Sequence, residues 1–495
     1  MKKILKINEA DNVAVVLHEL SAKETIEADS HKITIKQTIK PGHKVALQNI
    51  KIGGNIIKYG FPIGHATADI EEGSHVHTHN VKTNLDGILE YKYAPSFTKN
   101  SFTDRKLTFK GYRRKDGSAG IRNELWIIPT VGCVNGTCDK IVERFKAQAK
   151  TIYADNINVL KHNFGCSQLG DDFSATKTIL KNAVKHPNAG GVLVLGLGCE
   201  HNIPTDFKKS LGEFDSERVK FLTVQEVGDE VAIGAALLLE LNEAMRSDVR
   251  EDIPLSELKV GLKCGGSDGF SGITANPLLG RFTDFIVAQG GTSVLTEVPE
   301  MFGAETLLMD RAANSETFDK TVKLINNFKQ YFISHEQPIY ENPSPGNKDG
   351  GLTTLEDKSL GCTQKAGKSP VTDVLSYGDE IKTKGLNLFY APGNDLVSSS
   401  GLAGAGCQIV LFTTGRGTPF GSFVPTLKVS TNTPLYTLKP HWIDFNAGSI
   451  VEDVSFDELL ENFIAYILRV AGGELVNNEK KNFRELTIWK NGVTL

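Results

Sequence analysis

The sequence predicts an α/β protein: a small N-terminal β-rich unit followed by two α/β regions with mostly parallel sheets. Three observations carry that reading. Residues 1–92 hold only short β-prone runs broken by glycine and proline. From residue 107 onward, apolar strands alternate with amphipathic helices, the pattern of open parallel sheets covered by helices. Several of those strands run directly into clusters of glycine, cysteine or acidic residues.

In chain order, Asn12–Leu17, His31–Thr38, Lys44–Leu47 and Asn55–Tyr59 are the β-prone runs of the first unit, punctuated by Pro41-Gly42 and Gly53-Gly54. Residues 93–106 are polar and aperiodic and read as a linker. A new β-prone start follows at Leu107–Arg113. Strand candidates Leu125–Val131, Ile157–Lys161, Gly191–Leu197 and Val219–Val224 alternate with helices near Ala175–His186 and Asp229–Met245, defining a domain over 107–254. Beyond Pro254 the alternation restarts, giving a last domain over 255–495. Its strands are Lys259–Lys263, Thr292–Thr296, Leu386–Tyr390 and Gln408–Thr413, and its helices lie near Pro277–Gln289, Glu316–Ser334 and Phe456–Val470. Residues 335–370 have no apolar period and are too long for a passive connection.

Composition narrows the function classes. The chain has 495 residues, with Lys plus Arg at 55 against Asp plus Glu at 59, a formal charge of −4. No basic excess or charged tail marks a nucleic-acid partner. No apolar run is long enough to span a membrane, and polar residues interrupt the start before a signal core forms. The seven cysteines, spread from Cys133 to Cys407, make no secreted disulfide framework. A cytoplasmic protein is expected, with a small molecule as partner and a homo-oligomer compatible with the sequence.

The strand ends are where chemistry is expected. They lead into Gly132-Cys133-Val134-Asn135, Gly165-Cys166-Ser167-Gln168, Gly198-Cys199-Glu200, Cys264-Gly265-Gly266-Ser267-Asp268, Glu297, Pro392-Gly393-Asn394-Asp395 and Gly415-Arg416-Gly417. Ligands of open α/β sheets bind beyond the carboxyl ends of strands, where small residues admit close backbone approach. One Gly-Cys pair alone reads as a tight turn with a small buried side chain; its repetition points to a polar, anion-tolerant pocket. No dinucleotide fingerprint or phosphate loop is present, so no nicotinamide is expected.

His75, His77 and His79 alternate in a segment that reads as extended, which puts their imidazoles on one face. Such a row suits a transition metal, and equally a solvated strand face at a domain contact. His65 is less suited. The segment 336–368, with Glu341, Asn342, Asn347, Lys358 and Lys365, suits recognition of a polyhydroxylated acid; the plain alternative is a surface insertion. Glu297, just past a strand, is a candidate metal ligand or base, with Glu300 a helix cap, and Arg416 could clamp a carboxylate with its planar fork.

Taken together, GHKVALQNI, YGFPIGHATADIEEGSHVHTHN, FGCSQLGDD, GLGCE, CGGSDGFSGITANP, TEVPEMFGAE, TTLEDKSLGCTQKAG and FTTGRGTPFG resemble the altronate and galactarate dehydratase family, over essentially the whole chain. The resemblance implies an N-terminal SAF-type (β-clip) domain over 1–92 and a Rossmann-like last domain. It implies a hydro-lyase that dehydrates a sugar acid, altronate first, with galactarate dehydration or a related acid elimination as the alternative. It also implies a divalent metal, Fe2+ or else Mn2+. On that reading His75, His77, His79, Cys166, Cys199 and Glu200 are candidate metal ligands, and His77, His79, Asp268, Glu297 and Lys365 candidate catalytic groups. Asn135, Gln168, Ser267, Asn394 and Arg416 are the candidate substrate contacts. Readings from other classes are an iron–sulfur redox protein using Cys133, Cys166, Cys199 and Cys264, whose spacing matches no compact ferredoxin motif, and a non-catalytic sugar-acid sensor.

Overall fold

The computed structural model describes residues 2–28, 31–452 and 454–492. The N-terminal unit is antiparallel throughout. Ile4–Leu5, Val13–Val16, Lys44–Ala46 and His75–Val76 form one sheet, in that order. Asn55–Lys58, Phe61–Ala66 and Val81–Lys82 form a second, and Thr25–Ala28 pairs with His31–Thr34. One part of its apolar interior, around Val16, Leu20, Ile33 and Val45, closes on itself, and the other does not. Val13, Val15, Ile56, Ile63 and Val76 share one buried cluster with Ile273 and Leu360 of the C-terminal domain. The unit is therefore docked through its core side.

The next domain carries a four-stranded parallel sheet, ordered Ile157–Val159, Glu124–Pro129, Ala189–Gly196, Val219–Thr223. Successive residues of a strand face opposite sides, and the two sides are covered differently. Leu125, Ile127, Leu193 and Leu195 pack on helices Asn135–Gln148 and Glu230–Ala244, through Ile141, Phe145, Leu238 and Leu241. Trp126, Ile128, Val192 and Val194 lie in a cluster that also holds Leu402, Val410 and Phe423 of the last domain. Glu251–Pro254, which the sequence reads as a break between domains, is itself a strand paired with Thr108–Arg113. The predicted linker has no regular structure but is fastened down: the Tyr93 hydroxyl donates to Ala312 O and the Asn100 amide to Asp284 O.

The C-terminal domain is a seven-stranded, all-parallel sheet ordered Val371–Leu375, Gly385–Phe389, Thr292–Leu295, Lys259–Cys264, Ile409–Thr414, Thr426–Ser430, Phe445–Asn446. The strand Thr426–Ser430 escapes the sequence pattern because Lys428 breaks its apolar run, yet Lys428 is buried. The aperiodic stretch after residue 335 is ordered, with helices Pro345–Asp349 and Leu355–Cys362, and the second of these is buried along its whole length. Among the described residues no helix is long and apolar enough to cross a membrane.

Candidate active site

The N-terminal unit meets the C-terminal domain through charge as well as apolar contact. Lys44 and Lys58 are buried, and both ammonium groups end on Asp357, at 2.8 and 2.9 Å. Lys44 also donates to Gly351 O at 2.7 Å. Burial works against a charge on Asp357, but the two lysines outweigh it and hold the carboxyl well below the usual carboxylate range. Backbones close in beside this contact. A Cβ on Gly351 would lie 2.2 Å from Gly42 O, and one on Gly269 would lie 1.8 Å from the same oxygen.

A histidine group sits next to that seam. Antiparallel pairing sets Lys44 against Val76 and Val45 against His75, which brings His43 opposite His77. Ring centroids are 5.0 Å apart for His43 and His75, 4.9 Å for His43 and His77, and 5.3 Å for His75 and His77. One ring nitrogen from each lies within 4.8 Å of the others. His43 Nε2 is 3.2 Å from Asp349 O, a contact that assigns the proton to Nε2 and leaves Nδ1 as a lone pair, 3.0 Å from His75 Nε2. Burial, seconded by neighbouring cationic groups, pushes His75 down to about 4 and His77 down to about 3, and burial lowers His43 too. All three are thus neutral at neutral pH, the form that ligates metals. His77 Nδ1 is buried with no hydrogen-bond partner.

The segment predicted to be extended is not. After His75–Val76 it turns, with Asn80 N–H donating to His77 O and Asn80 Oδ1 accepting from His77 N–H. The turn keeps His75 and His77 together and sends His79 to the surface, its ring 5.4 Å from that of His75. His65 is turned to Asn84 instead.

Behind the seam lies a largely buried ionic cluster at the strand ends of the C-terminal sheet. Lys263 bridges Glu297 at 2.5 Å and Asp395 at 2.7 Å. Lys358 reaches Glu300 at 2.7 Å, Asn342 Oδ1 at 3.1 Å and Asn347 Oδ1 at 3.3 Å. Lys365 Nζ lies 2.8 Å from Cys264 Sγ, which is 3.4 Å from Cys362 Sγ. Burial resists ionisation of Glu300, but Lys358, Lys365 and Lys263 hold it down at about 2. Burial raises Glu297 well above its usual range, aided by the neighbouring Cys264 and Glu300. Two adjacent carboxyl groups are thereby pushed apart in acidity. Glu297 itself takes a left-handed backbone, φ 70°, which aims its carboxylate back at the Cys264 N–H.

The remaining predicted residues fall into distinct places. Asp268 is a clasp, its carboxylate accepting from Thr431, Asn432, Ser271 and the Phe270 N–H. Ser267 is held through its carbonyl by Asn347, and its hydroxyl is buried and unpartnered. Arg416 is exposed and packs beside Gly266. Asn394 caps the helix Asp395–Gly404. Asn135, Gln168, Cys166, Cys199 and Glu200 belong to the other parallel sheet. Gln168 accepts from Gly165 N–H, and Glu200 accepts from Thr130 and from the Leu197 and Gly198 N–H groups. Among the described residues, no set of three close ligand atoms mixes the histidines with Cys166, Cys199 or Glu200. The structure therefore divides the predicted metal set in two, because its members end strands of separate sheets. His43 is the site residue that reading the sequence missed, while Asp357, Lys358 and Cys362 fall in the 336–368 segment read as suited to a polyhydroxylated acid, without a role of their own. GHKVALQNI and TTLEDKSLGC contain them, but only strand pairing and docking show what they face.

Family descriptions match along the chain: an altronate/galactarate dehydratase SAF domain over 2–84, a D-galactarate dehydratase/altronate hydrolase second domain over 111–246, and a D-galactarate/altronate dehydratase C-terminal domain over 255–494. The chain is 63% identical to altronate dehydratase of Bacillus subtilis (strain 168), with 100% of both chains covered. The chain belongs to the altronate/galactarate dehydratase family. It is also 56% identical to altronate dehydratase of Escherichia coli (strain K12), covering 99% of each chain. Galactarate dehydratase (L-threo-forming) of the same organism is 34% identical, over 97% of this chain and 94% of that one. The family's SAF domain is the unit that supplies His43, His75 and His77, and its C-terminal domain supplies the lysine- and carboxylate-bearing strand ends.

Proposed function

We propose that this chain dehydrates D-altronate to 2-dehydro-3-deoxy-D-gluconate and water, with a divalent metal held at the seam between its first and last domains. Identity over the full chain supports altronate as substrate: 63% and 56% to two altronate dehydratases against 34% to a galactarate dehydratase. The donor set supports the metal. His43, His75 and His77 offer neutral imidazole nitrogens, and one of them, His77 Nδ1, is buried without a partner. His43 Nδ1 and His75 Nε2 lie 3.0 Å apart, close enough that one ion could be held by both. Imidazole suits ferrous iron, the proposed ion, with manganese as the other candidate. Such an ion supplies a Lewis acid that lowers the cost of negative charge on a carboxylate-bearing carbon acid.

Dehydration removes a weakly acidic proton beside the carboxylate and expels hydroxide from the next carbon, and the enol product tautomerises to the keto acid. Hydrogen and hydroxide leave as water, so no redox cofactor is called for. Arg416, exposed on the turn that touches Gly266, offers a planar fork for the carboxylate. The unpartnered hydroxyl of Ser267 is free for a substrate hydroxyl. His79, on the surface beside His75, is the imidazole left outside the triad for acid–base work. Asp268 and Glu297 are engaged in their own hydrogen bonds and ion pairs and act by holding the turns.

Anaerobic turnover of altronate and galactarate with ferrous or manganous ion, followed as keto-acid product, tests the reading. Preference for altronate and metal binding lost in His75→Ala/His77→Ala are expected. Preference for galactarate would overturn the substrate, and undiminished metal binding in that variant would overturn the site.

A further inference from the structure

The strand-end turns of the second-domain sheet take no part in the site above, and they carry the exposed thiols. Cys133, Cys166 and Cys199 are exposed, whereas Cys138, Cys264, Cys362 and Cys407 are buried. Each exposed thiol directly follows a glycine, just beyond one of three neighbouring parallel strands: Glu124–Pro129, Ile157–Val159 and Ala189–Gly196. The chain leaves the first of these in one direction and returns to the other side of it, so the turns flank the topological switch point where ligands bind open parallel sheets.

The turns are stitched together. Gly132 N–H donates to Phe164 O at 2.9 Å, Asn202 N–H to Gly165 O at 3.0 Å, and Ser167 N–H to His201 Nδ1 at 2.9 Å. Glycine is needed for this approach. A Cβ on Gly165, at φ 103°, would sit 2.1 Å from Thr130 O, and one on Gly132 would sit 2.8 Å from His162 O. Ser167, next to Cys166, takes φ 52°, a strained conformation for a residue with a side chain. Helix Asn135–Gln148 begins at one of the turns with no acidic residue in its first turn, and points its N-terminus there, which favours a bound anion. A second kind of observation also points to a ligand: Asn202 is 1% exposed, and its Oδ1 has no hydrogen-bond partner.

We propose that these turns hold a four-iron, four-sulfide cluster through Cys133, Cys166 and Cys199, leaving one iron without a ligand from this chain's thiols. Thiolates select soft metals and iron–sulfur clusters. Among the described residues, the sets of three ligand atoms close enough for a single ion do not include these cysteines, and a cluster spans a wider ring of thiolates than one ion does. Cys264 is excluded from the group: it is buried in the last domain against Cys362 and Lys365. Each thiol gives up its proton on ligation; assembling the cluster from four ferrous ions and four sulfides removes two electrons, which two ferricyanide ions take up as they become ferrocyanide.

The test is anaerobic reconstitution of the full-length protein with ferrous iron, sulfide and ferricyanide, then desalting. About four iron and four sulfide per chain and the broad visible absorption of such clusters are expected. Cys133→Ser, Cys166→Ser and Cys199→Ser should each lose that absorption, and His75→Ala/His77→Ala should keep it. Iodoacetamide labelling of the unsubstituted protein gives a measure independent of variant folding: Cys133, Cys166 and Cys199 should be labelled before reconstitution and protected after it. No chromophore, or equal labelling in both states, would overturn the proposal, as would absorption that survives replacement of all three thiols.

Discussion

The two parallel sheets end in opposite ways. At the tip of Lys259–Cys264, charge is paired and, except at the partly exposed Asp395, buried: Lys263 with Glu297 and Asp395, Lys358 with Glu300, Lys365 with the Cys264 sulfur. At the tips of the second-domain sheet, backbone hydrogen bonds close the turns and leave Cys133, Cys166 and Cys199 exposed. Both place a cysteine next to a glycine at a strand end: Cys264 closes its own strand and precedes Gly265, whereas the other three each follow a glycine beyond theirs. The difference lies in what surrounds them. Lys263 and Lys365 enclose Cys264 with cations and the N-terminal domain covers its side of the sheet, whereas apolar strands such as Ala189–Gly196 bring no charge of their own. Glycine beside the cysteine fixes how closely two backbones approach; the surrounding side chains decide whether the thiol is locked or open.

The hardest way to break that contrast is on the buried side. Asp357→Ala leaves the buried ammonium groups of Lys44 and Lys58 unpaired, and losing one partner of a buried ion pair costs about 3–5 kcal/mol. Denaturant unfolding should show a loss of that size. The folded pKa of Asp357 is depressed, so its contribution is present above the unfolded value of about 3.9 and disappears as pH falls through the lower, folded one. Asp357→Asn should therefore flatten the acid side of the stability profile. Loss of less than about 1 kcal/mol in Asp357→Ala would mean the seam is not held by this triad.

At the histidine group the expected effect is on turnover. A Lewis acid contributes several kcal/mol to a charged transition state, so His75→Ala/His77→Ala should lower altronate turnover at least about 10²-fold. Both side chains are only partly buried, so the melting temperature should move little. Full turnover in this variant would detach the chemistry from the histidines. Gly165→Ala probes the turns of the second sheet. Its added Cβ meets backbone, not a movable side chain, at a φ that alanine resists, and a cost of more than about 1 kcal/mol is expected in thermal unfolding. Gly136→Ala is the matched control: nothing lies within 4 Å of its Cβ, it sits inside a helix, and it should be neutral or slightly stabilising.

Much of this contrast could be read from the sequence, but not its partition. Alternating apolar strands and helices gave the two parallel regions, and the short runs before Tyr59 gave the β-rich unit, because periodicity and turn residues are local signals. The strand-end turns were expected to share one pocket. Strand order places Cys133, Cys166 and Cys199 at the ends of one sheet and Cys264 at the end of the other, a partition that no local pattern announces. His43 stayed hidden for a related reason. Three histidines in SHVHTHN announce themselves, whereas His43 joins them only through the pairing of Lys44 with Val76. Register between strands is a property of the whole domain, not of the segment. Lys428 misled in the other direction, since a lysine inside a central strand argues locally for solvent.

The smallest effect sharpens the comparison most economically, because it uses the same interaction in the other environment. Lys161 precedes the His162 turn of the second sheet and pairs with Asp139 at 2.8 Å, a distance equal to that of Lys44 and Asp357. The exposures differ: 50% and 44% for the first pair, 0% and 0% for the second. Water already solvates both members of the exposed pair, so removing one strands no buried charge, and side-chain entropy recovered on the surface offsets much of the lost attraction. Lys161→Ala should therefore change stability by no more than about 1 kcal/mol, and by less in high salt, which screens exposed pairs. Measured beside Asp357→Ala under one set of conditions, the ratio of the two losses reports how much of each sheet's end is held by ions and how much by backbone. A large, salt-insensitive loss at Lys161 would show that the turns of the second sheet are closed off from water after all, and the distinction between the two ends would fail.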